Sequence, residues 1–386
     1  RINKLEKLEE QLKLSVERQL MSDVKLGCQL SGGIDSSLIT FFANRLKKKL
    51  DTFSILFDEK NLTEETYIKK VVNDLDLKNY SSKFNYKNFY KDLSNSIWSF
   101  DAPLSQINSI GIYNLAKLSK SHVKVLLTGE GADEIHGGYP RFTRLNFFNF
   151  LNTLLNKKII PLSILCKRFK IFEFNKIMKL DANDIIILLS SVHSFNDIKN
   201  LIPKIDLFKG LISRRKTIEK IYLPYKQKSL IYEMKTYMHD LFLRQDKMTM
   251  AHSIESRVPF LDNDLVEYSL SYLSHSNYDY SYFSNITKNT KKYLKLISEK
   301  YFGKSFTYRT KSGFSFPLLK ILKSNYFREP VEKEIIPKIK SNNLYDFKKI
   351  LRIWKNIDNS SNSELELLFS IITFEIWIKK FKINIQ

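Results

Sequence analysis

The chain has 386 residues, of which 43% are hydrophobic, so it is long and apolar enough to bury a substantial core and is not disordered. Its two cysteines, Cys28 and Cys166, exclude a disulfide framework and a cysteine-rich zinc site, which predicts a reducing, cytoplasmic setting. The net charge of +22 comes from scattered lysines, and no apolar stretch is long enough to span a bilayer, so neither nucleic acid nor a membrane is expected as a partner.

Strands and helices alternate over the first part of the chain. After a lead-in helix over residues 3–21, the hydrophobic pattern predicts a strand at 24–30, a helix at 36–49, a strand at 52–57, helices at 63–75 and 110–119, and a strand at 123–127. This order predicts an α/β fold with a doubly wound parallel sheet, whose ligands bind at the carboxyl ends of the strands.

Beyond residue 140 the alternation stops and the pattern becomes helical. Helices are predicted at 147–155, 185–192, 230–243 and 365–381. We therefore expect a lead-in helix over 1–22, an α/β nucleotide-binding half over about 23–140, and a mostly helical half over about 141–386.

The segment L-S-G-G-I-D-S-S, residues 30–37, joins the first predicted strand to a helix. The turn at Gly32 and Gly33 opens on a helix N-terminus, whose free N–H groups suit an anion such as phosphate. Asp35 fits beside a phosphate only if a cation bridges the two. The alternative is that these residues are ordinary turn and N-cap material.

A second glycine-rich segment, T-G-E-G-A-D-E-I-H-G-G-Y at residues 128–139, follows the strand at 123–127. In a doubly wound sheet two such strand ends can face one crevice, where Asp35 and Asp133 would converge on a triphosphate through Mg²⁺. Glu130 is the candidate for proton transfer. The alternative is that Asp133 and Glu134 cap a helix.

Two later segments complete a pattern. They are L-R-Q-D-K-M-T-M-A-H-S-I-E-S-R-V-P-F-L-D at 243–262 and R-T-K-S-G-F-S-F-P at 309–317. In this order, the four segments closely resemble the synthetase domain of glutamine-dependent asparagine synthetases, within the wider group of S-G-G-x-D-S ATP pyrophosphatases. The resemblance covers essentially the whole chain and implies a PP-loop fold of the adenine nucleotide alpha-hydrolase type.

The resemblance also implies a role for each matching position. The pyrophosphate loop would comprise Ser31, Gly32, Gly33, Asp35 and Ser36, and the adenine and ribose pocket would comprise Leu30, Ile55, Thr128 and Gly129. The Mg²⁺ ligands would be Asp35 and Asp133. Glu130 would be the acidic residue at the acyl-adenylate, and Lys311 would be the lysine that reaches the reacting phosphates.

Arg257 has two interpretations. Within S-R-V-P-F it could reach the site as a catalytic residue, or it could form a structural ion pair with Asp246 or Asp262.

The chain departs from the family pattern in two places. It begins at Arg1 without the family's N-terminal glutaminase domain and nucleophilic cysteine, so it is expected to be a fragment or to receive ammonia from elsewhere. Ala102 stands where relatives often have Glu, and the arginine that some relatives present to the α-carboxylate of the substrate is missing, which leaves the acceptor open.

The resemblance implies an ATP-dependent ligase that converts aspartate to asparagine through β-aspartyl-AMP and releases AMP and pyrophosphate. Ammonia would come from glutamine hydrolysis in a missing domain or a partner subunit, and a homodimer is compatible with this picture. Three alternatives stay open: the same adenylation on another carboxylate, as in sugar-acid amidation or peptide or β-lactam cyclisation; an RNA-modifying ATP pyrophosphatase; and a catalytically silent interaction protein.

Overall fold

The computed structural model describes residues 3–58, 64–145, 181–193, 195–274, 276, 290–309 and 316–384. The predicted helix at 147–155, Cys166 and Lys311 lie outside these residues. The described helices contain none that is both long and apolar enough to cross a membrane.

A five-stranded parallel sheet organises the described part of the chain. Its strands are β1 (Leu26–Gln29), β2 (Asp51–Leu56), β3 (Lys78–Lys83), β4 (Val125–Leu127) and β5 (Glu255–Arg257). They lie in the order β3-β2-β1-β4-β5, and every neighbouring pair is parallel. The order reverses direction at β1, between β2 and β4, and a ligand crevice is expected at such a point. The predicted α/β fold with a doubly wound parallel sheet is confirmed.

Helices connect and cover these strands. Those of the first half are α1 (Lys4–Gln19), α2 (Ile34–Leu46), α3 (Glu65–Asp74), α4 (Phe89–Phe100), α5 (Ser109–Ser119) and α6 (Ala132–His136). Those that follow are α7 (Ala182–Ser190), α8 (Phe195–Leu201), α9 (Leu207–Glu219), α10 (Tyr225–Lys235), α11 (Tyr237–Met250), α12 (Asn263–Tyr268), α13 (Lys292–Phe302), α14 (Lys304–Thr307), α15 (Leu318–Lys323), α16 (Asn325–Glu334), α17 (Ile336–Ser341), α18 (Phe347–Lys355) and α19 (Asn362–Phe381).

The two faces of the sheet are buried by different helices. On one face, Cys28 of β1 and Leu127 of β4 share a core with Leu12 of α1 and Ile297 of α13. On the other face, Phe53 and Leu126 pack with Leu115 and Ala116 of α5. Both faces of the central strands are therefore covered, as parallel sheets require.

A separate core holds the C-terminal helices together. It joins α4 to α16, α18 and α19 through Leu93, Phe327, Trp354 and Phe369, all of which are buried. The helix predicted at 365–381 is confirmed as α19, and its N-terminus carries a capping box between Ser361 and Glu364.

Several elements differ from the sequence-based expectation. The polar strand β3 and the helix α4 were not predicted, and the helix predicted at 230–243 is divided at Thr236 into α10 and α11. Strand β5 lies far beyond residue 140 and yet pairs with β4, so the helical half contributes the last strand of the sheet. With three residues, β5 is too short for alternation to identify it.

Candidate functional site

A pocket opens at the carboxyl ends of β1 and β4, at the point where the strand order reverses. Leu30 continues from β1 and donates its backbone N–H to the Phe53 carbonyl at 2.9 Å. Thr128 continues from β4, and its backbone N–H donates to the Arg257 carbonyl at 2.9 Å. The sheet therefore fixes the starting points of both glycine-rich segments on one crevice.

The segment after β1 forms a compact loop on the N-terminus of α2. The hydroxyls of Ser31 and Ser36 hydrogen-bond at 3.0 Å, and the Ser36 hydroxyl also accepts the Ser31 backbone N–H at 3.2 Å. Gly33 is the N-cap of α2 and makes no side-chain capping bond, while its backbone N–H donates to the Ser31 hydroxyl at 3.3 Å. The first N–H groups of α2 thus stand at an end with the positive dipole, which suits an anion.

The loop after β4 lies against this helix end, and a glycine permits the contact. A Cβ on Gly129 would lie 2.6 Å from the Ser36 backbone nitrogen and 2.8 Å from the Asp35 carbonyl carbon. Real Cβ atoms do not approach backbone this closely, so any larger residue at 129 would separate the two loops.

The two candidate metal ligands share one buried lysine. Lys291 Nζ lies 2.7 Å from an Asp35 carboxylate oxygen and 2.6 Å from an Asp133 carboxylate oxygen. The Lys291 side chain is 5% exposed, and those of the aspartates are 19% and 20% exposed. Burial by itself would lower the pKa of Lys291, but the charges of Asp133 and Asp35 raise it overall, so the ammonium stays charged.

The pair of aspartates is a suitable donor set for Mg²⁺. The described residues contain no cluster of three or more His, Cys, Asp and Glu side chains that could enclose a metal. Mg²⁺ is usually held by one or two carboxylates together with substrate phosphates and water, so two carboxylates are a sufficient protein donor set. That a cation already bridges them here shows that both oxygens converge on one point.

Glu130 faces the same pocket, and the guanidinium of Arg244 lies beside its carboxylate. Burial raises the pKa of the Glu130 carboxyl, the nearby charge of Arg244 opposes this rise, and the charges of Asp133 and Asp35 add to it. Arg244 Nη2 lies 3.6 Å from the Glu130 carboxylate, and Nη1 donates to Asn108 at 2.6 Å and to Gln106. The Glu130 carboxyl therefore has a raised pKa, which would rise further without the buried guanidinium of Arg244.

A second arginine, Arg309, contacts the loop after β1. Arg309 donates to the Gly32 carbonyl, forms an ion pair with Glu64 at 3.3 Å, and stacks over the Tyr67 ring at 3.9 Å. Gly32 has a φ of +83°, a conformation that favours glycine, and a Cβ there would lie 3.0 Å from the Glu64 carbonyl oxygen.

Most of the predicted site residues meet in this one pocket. They are Leu30, Ser31, Gly33, Asp35, Ser36, Ile55, Thr128, Gly129, Glu130 and Asp133. Gly32 belongs to the loop without lining the pocket, and Lys311 lies outside the described residues.

Arg257 is placed elsewhere than either interpretation expected. Its guanidinium donates to the Gln19 and Met21 carbonyls at the end of α1 and pairs with Glu255 at 2.7 Å. Asp262 pairs instead with Arg18 at 2.7 Å. The proposed ion pair with Asp246 or Asp262 is therefore corrected: Arg257 caps α1, because free carbonyls at a helix end attract a donor.

The sequence reasoning missed Lys291, Arg244 and Arg309. Arg244 had a usable signal, because it stands between Leu241 and Met248 on the buried stripe of α11, where a charge needs a partner. Lys291 had none, since it begins a Lys-Lys pair in a chain that is rich in lysine.

Comparison with known proteins identifies the family. The profile of the family described as asparagine synthase matches residues 7–379. The chain is 28% identical over 377 residues to glutamine-hydrolysing asparagine synthetase 1 of Bacillus subtilis, covering 94% of this chain and 57% of that protein. It is 30% identical over 274 residues to glutamine-hydrolysing asparagine synthetase 2 of Bacillus subtilis, covering 66% and 32%.

A third relative carries a different name. The chain is 26% identical over 302 residues to amidase chry2 of Gibberella zeae, covering 68% of this chain and 45% of that protein. The matched regions cover 57%, 32% and 45% of these three relatives, so the chain spans little more than half of the first and less than half of the other two. Because the family match extends over nearly all of its residues, this chain belongs to the asparagine synthase family.

Proposed function

We propose that this chain is an ATP-dependent amide ligase that joins ammonia to the side-chain carboxylate of aspartate, with release of AMP and pyrophosphate. The observation that carries the proposal is the pocket in which the Ser31–Ser36 loop, Asp35, Asp133 and Glu130 face one another. Membership of the asparagine synthase family supports the same reaction class.

The residues of the pocket suit adenylation of a carboxylate. The N-terminus of α2 and the hydroxyls of Ser31 and Ser36 would hold phosphate oxygens. Asp35 and Asp133 would hold Mg²⁺, which when bound neutralises phosphate charge and orients the nucleotide. Ile55, Thr128 and Gly129 would line the position of the nucleoside, since they lie beside the loop in the same pocket. Catalysis would then consist mainly of positioning and charge neutralisation.

Glu130 would act in the second half-reaction. Ammonia must lose a proton as it attacks the acyl-adenylate, and Glu130 is the carboxylate in the pocket that Arg244 keeps available as a base. Ammonia supply by glutamine hydrolysis in another domain or subunit is part of the proposal, because the relatives that carry this activity in their names extend well beyond the matched region. Cys28 is not a candidate nucleophile for it, because burial raises the pKa of its thiol to about 12.

One alternative acceptor has support from the comparisons. The similarity to an amidase, together with Ala102 in place of the usual acidic residue, is compatible with adenylation of a different carboxylate. Pyrophosphate exchange into ATP, measured with aspartate and then with other carboxylic acids, separates the two acceptors.

The reaction type is tested by the products. We expect AMP and pyrophosphate from ATP when ammonium, aspartate and Mg²⁺ are present, and we expect Asp35→Asn and Asp133→Asn each to lower the turnover by about 10²-fold or more. The folding control is an unchanged circular dichroism spectrum. ADP and inorganic phosphate as products would reject the proposed reaction, and full activity of either variant would reject the assigned metal ligands.

A further inference from the structure

The ion pair between Lys291 and the two aspartates has a consequence for how the metal enters. Both carboxylates accept hydrogen bonds from the same ammonium at 2.6–2.7 Å, so a positive charge already occupies the point between them. An ammonium and a divalent cation cannot occupy that point together. Any metal that binds Asp35 and Asp133 must therefore move Lys291 first.

The surroundings enclose this ammonium tightly. A Cβ on Gly138 would lie 1.7 Å from an Asp133 carboxylate oxygen and 2.2 Å from Lys291 Cε, so a glycine is needed where the chain passes the pair. Lys291 itself has a φ of 51°, which is uncommon for a residue other than glycine. Close packing and an unusual backbone both indicate that the position of the ammonium is specified by its surroundings.

We propose that Lys291 is a positioning residue that holds Asp35 and Asp133 in place of the divalent cation, so that the metal enters only together with a nucleotide. The inference rests on the proposed function for the assignment of the two aspartates as metal ligands. Metal alone would have to replace a buried ion pair with its own contacts to the same two carboxylates. A nucleotide favours metal binding over the Lys291 ion pair, because its phosphates supply further oxygen ligands for the metal and a negative charge for the released ammonium.

The proposed role and a merely structural role predict opposite changes in metal affinity when Lys291 is removed. A lysine that only supports the fold should, when removed, leave the carboxylates less well placed and weaken metal binding. A lysine that occupies the place of the metal should, when removed, leave two adjacent unneutralised carboxylates and strengthen metal binding in the absence of nucleotide.

The test is Mn²⁺ binding to the purified chain without nucleotide, measured by electron paramagnetic resonance of the free ion. We expect Lys291→Met to bind one Mn²⁺ at least about tenfold more tightly than the unaltered chain. The matched control is Lys292→Met, which removes the adjacent exposed lysine and should bind Mn²⁺ like the unaltered chain. In the double variant Lys291→Met with Asp133→Asn the gain should disappear.

Other results overturn the proposal. An unchanged or weakened affinity of Lys291→Met for Mn²⁺ contradicts the proposal. An increase in Mn²⁺ affinity that persists in the double variant also contradicts it, because the ion would then be bound elsewhere. If Lys291→Met does not fold, Mn²⁺ binding to the unaltered chain tests the proposal instead. Tight binding of one Mn²⁺ without nucleotide, abolished by Asp35→Asn, contradicts the proposal. Binding that requires a non-hydrolysable ATP analogue supports it. None of these measurements requires turnover, so they are independent of the product test of the proposed function.

Discussion

At the scale of single residues, Arg244 connects two parts of the site. It is 2% exposed, and its guanidinium contacts Gln106 and Asn108 before α5 as well as the Glu130 carboxylate. A buried guanidinium is stable only with such partners, and it in turn stabilises negative charge beside it. Burial raises the pKa of Glu130, and Arg244 on α11 opposes that rise.

This arrangement predicts a shift in the pH dependence of amide formation. Because the charge of Arg244 opposes the rise in the pKa of Glu130, Arg244→Gln should raise that pKa further and move the acid limb of the pH–rate profile to higher pH. Arg244→Lys should restore part of the shift. An acid limb that stays in place in Arg244→Gln, measured with saturating substrates, would contradict the role of Glu130 as the base.

At the scale of elements, the contact between the two glycine-rich loops depends on Gly129. The loop after β4 lies on the N-terminus of α2 so closely that the glycine has no room for a Cβ. The sequence indicated both loops and their meeting at one crevice, because glycine turns after parallel strands converge there. It could not indicate the direct contact, because a close approach of Gly129 to the backbone of Ser36 leaves no pattern in a single sequence.

Substitution of this glycine should separate the loops. Gly129→Ala is expected to lower the free energy of unfolding by about 1–3 kcal/mol and to weaken binding of an ATP analogue, because backbone atoms of α2 must move. The matched control is Gly210→Ala in α9, where a Cβ meets nothing within 4 Å and alanine should be neutral or slightly stabilising. Chemical denaturation and nucleotide titration of both variants would detect the difference; equal behaviour would show that the loops are not in obligatory contact.

At the scale of the whole molecule, the pocket is assembled from segments far apart in the chain. Lys291 and Arg309 come from beyond residue 290 and contact Asp35 and Gly32 of the first loop, and β5 completes the sheet. The strand–helix alternation predicted β1, β2 and β4, whereas the polar strand β3 and the three-residue strand β5 show no such pattern. The contacts of Lys291 and Arg309 were not predictable either, since each depends on one basic residue among 63. The site therefore needs both halves of the chain.

The buried histidine behind this assembled site makes the molecule sensitive to acid. His136 of α6 is fully buried near the Phe260 ring, and burial together with the charge of Lys291 lowers the pKa of its imidazole to about 3. In the unfolded chain the pKa is near 6.5, so between these values the unfolded state takes up a proton that the folded state does not. The stabilisation that depends on a neutral His136 is thus complete above pH 6.5 and is lost progressively as the pH falls toward 3.

His136→Gln should remove this part of the acid sensitivity. From pH 7 to pH 5 the unaltered chain should lose about 2 kcal/mol more of its free energy of unfolding than the variant, because all other titrating groups are common to both. The exposed His239 offers a control, and His239→Gln should follow the unaltered chain at both pH values. Denaturant unfolding at the two pH values measures the difference, and a variant that loses as much stability as the unaltered chain would show that His136 does not stay neutral in the fold.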